Sequence, residues 1–434
     1  MNFMLTALGC KLNQAEIDDL ARRIAAAGHA VVSAPTDADW LIINTCAVTH
    51  VAARKSRQAI RHLVRANPAL RVAVIGCYGE TQPEEAAALA GVQLVVPNQQ
   101  KEQTLARILA LGPAERPFPA QAPATGPGAI PAGGHTRALV KIQDGCDNHC
   151  TYCLVRVARG PSRSRPPAEA LAEVRQRVAE GHCEVVLTGV NIGAYGQEIR
   201  PLDLGNGVAI DLAALVRDAL ESGVARLRLS SIEPWDVTPA LIDLWDDPRL
   251  CRHLHLPLQS GCEATLRRMG RRYSLDRYLV LADELRARIP GLALTTDVIV
   301  GFPGETDDEF AATLATVERI GFSRLHVFRY SPRPGTPAAR LPGAVDPRAA
   351  QARSETLIAL GRRQALAFHQ SMVGGEVEVL LESADERPEG LIWSGLTDNY
   401  VRVECTLPDG RRNTLVRLRA VAADEDGLRG QPLD

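Results

Sequence analysis

Hydrophobic and polar positions alternate in two rhythms over the first 110 residues. The apolar runs "FMLTALGC", "DWLIINTC", "RVAVIGC" and "VQLVVPN" are each followed by a stretch of helical period, at Gln14 to Ala27, Val51 to Arg65, "PEEAAALA" and "KEQTLARILAL". Strands alternating with helices of this length predict a parallel sheet with helices on its faces. The alternation returns further on, with strands expected at "ALVKIQ", "CEVVLTGV", "RLRLSS", "HLHLPL", "LALTTDVIVG" and "RLHVFRY". Six such units predict a partial (β/α)6 parallel barrel with its chemistry at the carboxyl ends of the strands. From Val373 only short β segments remain ("GEVEVLLES", "GLIWSGLT", "NYVRVECTL", "NTLVRLRAVAA"), which fit a small all-β barrel.

The stretch "GPAERPFPAQAPATGPGAIPAGGHT" separates the first two patterns. Six prolines, five glycines and almost no bulky apolar side chain leave it nothing to build a core from. The expected organisation of this α/β chain is therefore 1–111 as a parallel-sheet domain, 112–136 as a linker, 137–372 as the barrel domain and 373–434 as the small β-barrel.

Composition narrows the class. Hydrophobic residues at 46% and charged residues at 23% are ordinary for a soluble globular chain. No apolar run approaches the ~20 residues that span a bilayer, and the N-terminus lacks the basic-then-apolar start of a leader, so a cytoplasmic protein without membrane contact is expected. The formal net charge of −2 does not by itself suggest a nucleic-acid binder. Only four of the 49 basic residues are lysine. A GC-rich coding sequence and phosphate recognition by guanidinium groups both produce that bias.

Ten cysteines in a reducing compartment point to metal or redox chemistry and away from disulfides. Cys10, Cys46 and Cys77 each end a predicted parallel strand, so their thiols are expected along one sheet edge, where ligands bind. Cys146, Cys150 and Cys153 have the spacing C-x3-C-x2-C in "DGCDNHCTYC", directly after a barrel strand. Three thiolates so spaced can wrap a four-iron cluster and leave one iron open for a substrate or cofactor. A zinc site completed by His149 or a distant residue, in a non-catalytic RNA-binding protein, is the alternative left open. Cys183, Cys251, Cys262 and Cys405 show no cluster-like spacing.

The motifs "TALGCKLNQAEID", "NTCAVTHVAARKSRQAIR", "VIGCYGE", "IQDGCDNHCTYC", "ARGPSRSR", "VVLTGVNIGAYG", "LRLSSIEP", "HLHLPLQSGCEATLRRMGRRY", "TDVIVGFPGETDDEF" and "YSPRPGTPAA" resemble, over nearly the whole chain, those of the radical S-adenosylmethionine methylthiotransferases. Within them the chain is most similar to the tRNA N6-threonylcarbamoyladenosine methylthiotransferases. The departures are Ala7, where threonine is common, and Arg156, where proline is expected.

The resemblance implies two 4Fe-4S clusters, an auxiliary one on Cys10, Cys46 and Cys77 and a radical one on Cys146, Cys150 and Cys153. It implies two uses of S-adenosylmethionine, one as methyl donor and one as radical source, to place a methylthio group on C2 of the modified adenosine beside the anticodon of tRNA. An electron donor of the reduced flavodoxin or ferredoxin type and an unidentified sulfur donor follow as partners. The terminal barrel corresponds to the family's RNA-binding TRAM domain. Isopentenyladenosine of tRNA and a ribosomal-protein side chain are the alternative substrates.

Tyr152, Asn191, Glu233, His255, Gln259 and Asp297 are the candidate contacts for S-adenosylmethionine or the substrate base, because they lie beside the cysteines or at strand ends. The runs 54–65, 159–165 and 267–272 and the terminal barrel provide candidate phosphate contacts, chiefly Arg54, Lys55, Arg57, Arg61, Arg163, Arg165, Arg411 and Arg412.

Overall fold

The computed structural model describes residues 1–112, 135–199, 210–388 and 390–433. The expected linker at 112–136 lies, for residues 113–134, outside the described residues. Among the described residues, the N-terminal part forms a five-stranded, wholly parallel sheet in the order β2-β1-β3-β4-β5. The strands are β1 (Asn2–Ala7), β2 (Ala30–Val32), β3 (Trp40–Thr45), β4 (Arg71–Gly76) and β5 (Val92–Val95). Central β3, "WLIINT", is buried at every position, as a strand covered on both faces requires. Helices α1 (Lys11–Ala26), α2 (His50–Ala66), α3 (Cys77–Thr81), α4 (Pro83–Ala87) and α5 (Thr104–Ala110) connect the strands or follow the last. The sequence pattern omits β2, which is three residues at the sheet edge and too short to show a period.

The central part holds β6 (Ala138–Lys141), β9 (Glu184–Thr188) and β10 (Arg226–Leu229) in one parallel sheet. A second contains β11 (His253–His255), β12 (Ala293–Val300) and β13 (Arg324–Arg329). Bridges Leu227↔Leu250 and Ser231↔His255 join the two, so the six strands follow one another in chain order as part of a parallel barrel. Between β6 and β9 a short ribbon, β7 (Gln143–Asp144) and β8 (Arg163–Ser164), closes the base of the cysteine loop.

Helices α6 (Val155–Arg159), α7 (Pro167–Ala179), α8 (Leu212–Leu220), α9 (Pro239–Ile242), α10 (Glu263–Arg268), α11 (Leu275–Arg288), α12 (Asp307–Ile320) and α13 (Pro347–Gln370) complete the units. Helix α12 starts at a reciprocal capping box between Thr306 and Glu309. One large apolar cluster, including Val140, Leu187, Leu229, Leu254 and Val298, fills the space between strands and helices.

The C-terminal strands β14 (Glu376–Arg387), β15 (Gly390–Thr397), β16 (Arg402–Thr406), β17 (Leu415–Ala423) and β18 (Leu428–Pro432) close into a barrel, order β14-β15-β16-β18-β17. Strand β18, "LRGQP", goes unpredicted because it has neither an apolar run nor alternation. The turn after β15 docks on the central barrel, where Arg226 donates to the Leu396 carbonyl (3.2 Å) and Arg228 to those of Thr397 (3.1 Å) and Asp398 (2.7 Å). Helix α1 packs across β6 and β9, so the N-terminal sheet also rests on the central barrel.

Candidate active site

The three N-terminal cysteines sit on neighbouring strands. Cys10 caps α1 after β1, Cys46 follows β3, and Cys77 opens α3 after β4. Gly9 has φ +102°, and a Cβ there would stand 2.6 Å from the Cys46 Cβ, so only glycine lets the first turn close on the second. Cys46 and Cys77 are buried and Cys10 is exposed. Burial pushes the Cys46 thiol up to about 11 and raises that of Cys77. Such thiols stay protonated at neutral pH until a bound metal displaces the proton.

The second triad hangs from the ribbon β7–β8. Gly145, φ +68°, brings the chain so near that a Cβ would lie 1.9 Å from the Pro161 carbonyl oxygen. The Asn148 amide donates to Cys146 Sγ and the Arg271 guanidinium to Cys150 Sγ, each at 3.4 Å. Burial pushes Cys153 up to about 12 and raises Cys146. Donors aimed at sulfur on a tight loop suit thiolates of an iron–sulfur cluster, whose charge they offset.

Among the described residues no three His, Cys, Asp or Glu side chains gather as ligands of a single ion. A four-iron cluster instead takes one thiolate at each iron corner. His149 has Arg156 Nη1 at 2.7 and 2.9 Å from its two ring nitrogens. A guanidinium already at those nitrogens disfavours His149 as a zinc ligand.

A buried charge network links the triads. Arg159 donates to Glu16 Oε1 (3.0 Å), Asp144 Oδ1 (2.9 Å) and Asn13 Oδ1 (2.5 Å). Asn13 Oδ1 lies 3.7 Å from Cys10 Sγ, and Asp144 Oδ1 accepts the Gly145 amide beside Cys146. Lys101 and Lys141 also pair with Glu16, at 2.6 and 2.9 Å. Burial pushes the Glu16 carboxyl up, but Arg159, Lys101 and Lys141 outweigh it and hold that group well below the usual carboxylate range. The network borders a cleft of about 420 Å3 between the N-terminal sheet and the central barrel.

The other candidates divide into groups. Glu233 pairs with Arg271, the donor to Cys150. Asn191 gives its amide to Asp236 (2.9 Å). Its Oδ1 and the Ser230 hydroxyl are buried without a partner among the described residues, open acceptors for a ligand's donors. His255 lies 3.4 Å from Asp297 and 3.0 Å from Thr295 Oγ1. The Gln259 amide donates to the Asp297 carbonyl (2.8 Å) from a left-handed backbone, φ +65°. A glutamine held in that conformation is strained, as residues at ligand sites often are. Tyr152 packs edge-on against Phe302 at 6.5 Å.

The basic runs are only partly free. Arg54, Lys55, Arg61 and Arg411 are exposed. Arg57 pairs with Glu85 (3.2 Å), Arg165 with Glu173, and Arg412 donates to Thr136 (2.8 Å), while the largely exposed Arg163 lies 3.8 Å from Asp144. Within 267–272, Arg271 is buried and Arg268 is tied to Glu309, so that run is not the uniform phosphate track its sequence implies. Asn13 is absent from the sequence-based candidates, and Arg159 and Arg271 enter them only as members of runs expected to meet phosphate. Their partners lie up to 146 residues away, and only position next to a cysteine motif marks them.

The chain matches the family described as "Radical SAM superfamily" over residues 140–317 and "Uncharacterized protein family UPF0004" over residues 2–97. It is 37% identical to the threonylcarbamoyladenosine tRNA methylthiotransferase MtaB of Bacillus subtilis (strain 168), across 98% of this chain and 94% of that protein. The MtaB of Thermotoga maritima is 36% identical over 92% of this chain and 90% of its own length. The tRNA-2-methylthio-N(6)-dimethylallyladenosine synthase of Parafrankia sp. (strain EAN1pec) is 36% identical, covering 89% of this chain and 79% of that protein. Among solved structures, the radical S-adenosylmethionine methyltransferase TsrM from Kitasatospora setae superposes with TM-score 0.52 at 16% identity, over 78% of this chain and 76% of that one, a likeness of fold.

Proposed function

Since the chain belongs to the radical S-adenosylmethionine tRNA methylthiotransferases, we propose that it methylthiolates C2 of N6-threonylcarbamoyladenosine beside the anticodon of tRNA. The observation that carries the choice of base is the length match. The Bacillus subtilis relative named for threonylcarbamoyladenosine aligns over 98% of this chain and 94% of its own length. The dimethylallyl relative, at 36% identity, aligns over 89% and 79%.

In this reading Cys146, Cys150 and Cys153 hold the radical cluster, and Cys10, Cys46 and Cys77 hold the auxiliary one. When bound, the first supplies an electron to one S-adenosylmethionine and the second supplies the sulfur that takes a methyl group from another. The chain's own part is positional. Arg271 fixes Glu233 and steadies Cys150, while Asn191 Oδ1 and Ser230 Oγ offer acceptors to a polar ligand at the strand ends. His255 and Asp297 form a paired wall on β11 and β12.

We divide the labour as 1–111 for the sulfur-bearing cluster, 137–372 for radical generation and 373–434 for RNA. Arg54, Lys55, Arg61, Arg163 and Arg411 offer exposed guanidinium or ammonium groups to phosphates. Among the described residues no helix is long and apolar enough to cross a membrane. A tRNA substrate assigns the enzyme to the cytoplasm, with a small reduced flavodoxin- or ferredoxin-type protein as electron donor.

Mass spectrometry of tRNA nucleosides from a strain lacking the gene tests the reading. The expected result is loss of 2-methylthio-N6-threonylcarbamoyladenosine with accumulation of its unthiolated precursor. Loss of the methylthio group from the dimethylallyl nucleoside instead overturns the choice of base.

A further inference from the structure

Three cations surround the ring of Tyr400, at the meeting point of all three parts of the chain. Lys11 Nζ lies 5.0 Å from the ring centroid, and the Arg137 and Arg228 guanidinium carbons lie 5.2 and 4.7 Å from it. Two of them have carboxylate partners, Arg137 with Glu382 (2.8 Å) and Arg228 with Glu184 (2.6 Å). Lys11 has no carboxylate partner among the described residues. Lys101 and Lys141, by contrast, share Glu16. Lys11 also lines a pocket of about 320 Å3 together with Gly9, Cys10, Arg137, Tyr400 and Glu382, whose carboxylate is taken up by Arg137.

This pocket opens beside the sulfur-bearing triad, which gives the unmatched ammonium a chemical meaning. Resting on the function proposed above, C2 of the target adenine must approach the site held by Cys10. In adenine, C2 and the carbon bearing N6 are both bonded to N1, so a base with C2 at that site presents its N6 substituent to the residues next to Cys10. The threonylcarbamoyl group ends in a carboxylate. The dimethylallyl group, carried by the substrate for which other relatives are named, is a hydrocarbon. A half-buried ammonium lacking an acid matches the first and penalises the second, because a hydrocarbon would strip its water and return nothing.

We propose that Lys11 binds the carboxylate of the N6-threonylcarbamoyl group and sets the choice between acidic and apolar N6 substituents. It acts by attraction to the right substrate and by desolvation cost against the wrong one.

Binding of anticodon stem–loop RNAs to the cluster-loaded enzyme tests this. The RNAs carry, at the target base, the threonylcarbamoyl group, its neutral carboxamide analogue, or the dimethylallyl group. Wild-type enzyme is expected to bind the carboxylate RNA about 10- to 100-fold more tightly than the carboxamide, the range of a charged hydrogen bond. Lys11→Met should erase that difference through the carboxylate RNA alone, and Lys11→Arg should keep most of it. Equal binding of carboxylate and carboxamide RNAs by wild-type enzyme overturns the proposal without any variant having to fold. Methylthiolation of the dimethylallyl RNA but not the threonylcarbamoyl RNA by wild-type enzyme fails the substrate reading itself and removes the ligand proposed for Lys11.

Discussion

Arg159 donates hydrogen bonds to Glu16, Asp144 and Asn13 that tie α1 to the loop of the second triad. With its side chain 2% exposed, it has no water to fall back on. Truncating one partner of such a network leaves the others charged and buried, which costs about 3–5 kcal/mol. Arg159→Met is expected to lose stability of that order in denaturant titration of the metal-free chain, and Arg159→Lys less. Glu184 presents the same physics where the small barrel docks. Burial pushes its carboxyl up, yet Arg228 and Arg226 bring it below the ordinary 4.5. A depressed carboxyl stabilises the fold above its unfolded-state value, and that contribution fades as pH falls through the folded one. Wild type should therefore lose more stability than Glu184→Gln between neutral pH and the acid side of 4.5, in paired denaturation curves. The cysteines are legible in sequence because their spacing is itself the signal. Arg159 and Arg271 are not, because an arginine run looks the same whether its partners are phosphates or distant buried carboxylates.

Each triad depends on tight turns at the scale of the element. Strand β7 delivers Cys146 only because Gly145 passes against Pro161. Gly145→Ala is expected to push the loop away, lowering iron retention by the second triad while the first keeps its own, as read by iron analysis with all three of Cys10, Cys46 and Cys77 replaced or intact. Unchanged iron would mean that the loop tolerates the shift. The strand–helix rhythm made the main elements legible, since β3, β9 and β12 each carry a run of buried apolar residues. It also gave the adjacency of the N-terminal cysteines, because parallel strands point their carboxyl ends one way. The edge strand β2 and the closing strand β18 were not legible, since pairing and barrel closure, and not their own patterns, make them strands.

The whole molecule brings three parts of the chain to one junction. The N-terminal sheet leans on the barrel through α1, the β15–β16 turn seats under the arginines of β10, and Lys11 and Tyr400 meet between them. Sequence yields the parts and their order, but the junction rests on contacts between residues up to 389 positions apart, which no local pattern encodes. The central claim is that this frame holds two separate iron–sulfur clusters, one on each cysteine triad. Iron and sulfide analysis of the anaerobically reconstituted chain tests it most directly, beside one variant with Cys10, Cys46 and Cys77 changed to Ala and another with Cys146, Cys150 and Cys153 changed. The account predicts roughly eight irons in the wild type and roughly four in each variant. Iron unchanged in either variant, or lost entirely from both, would contradict two independent clusters.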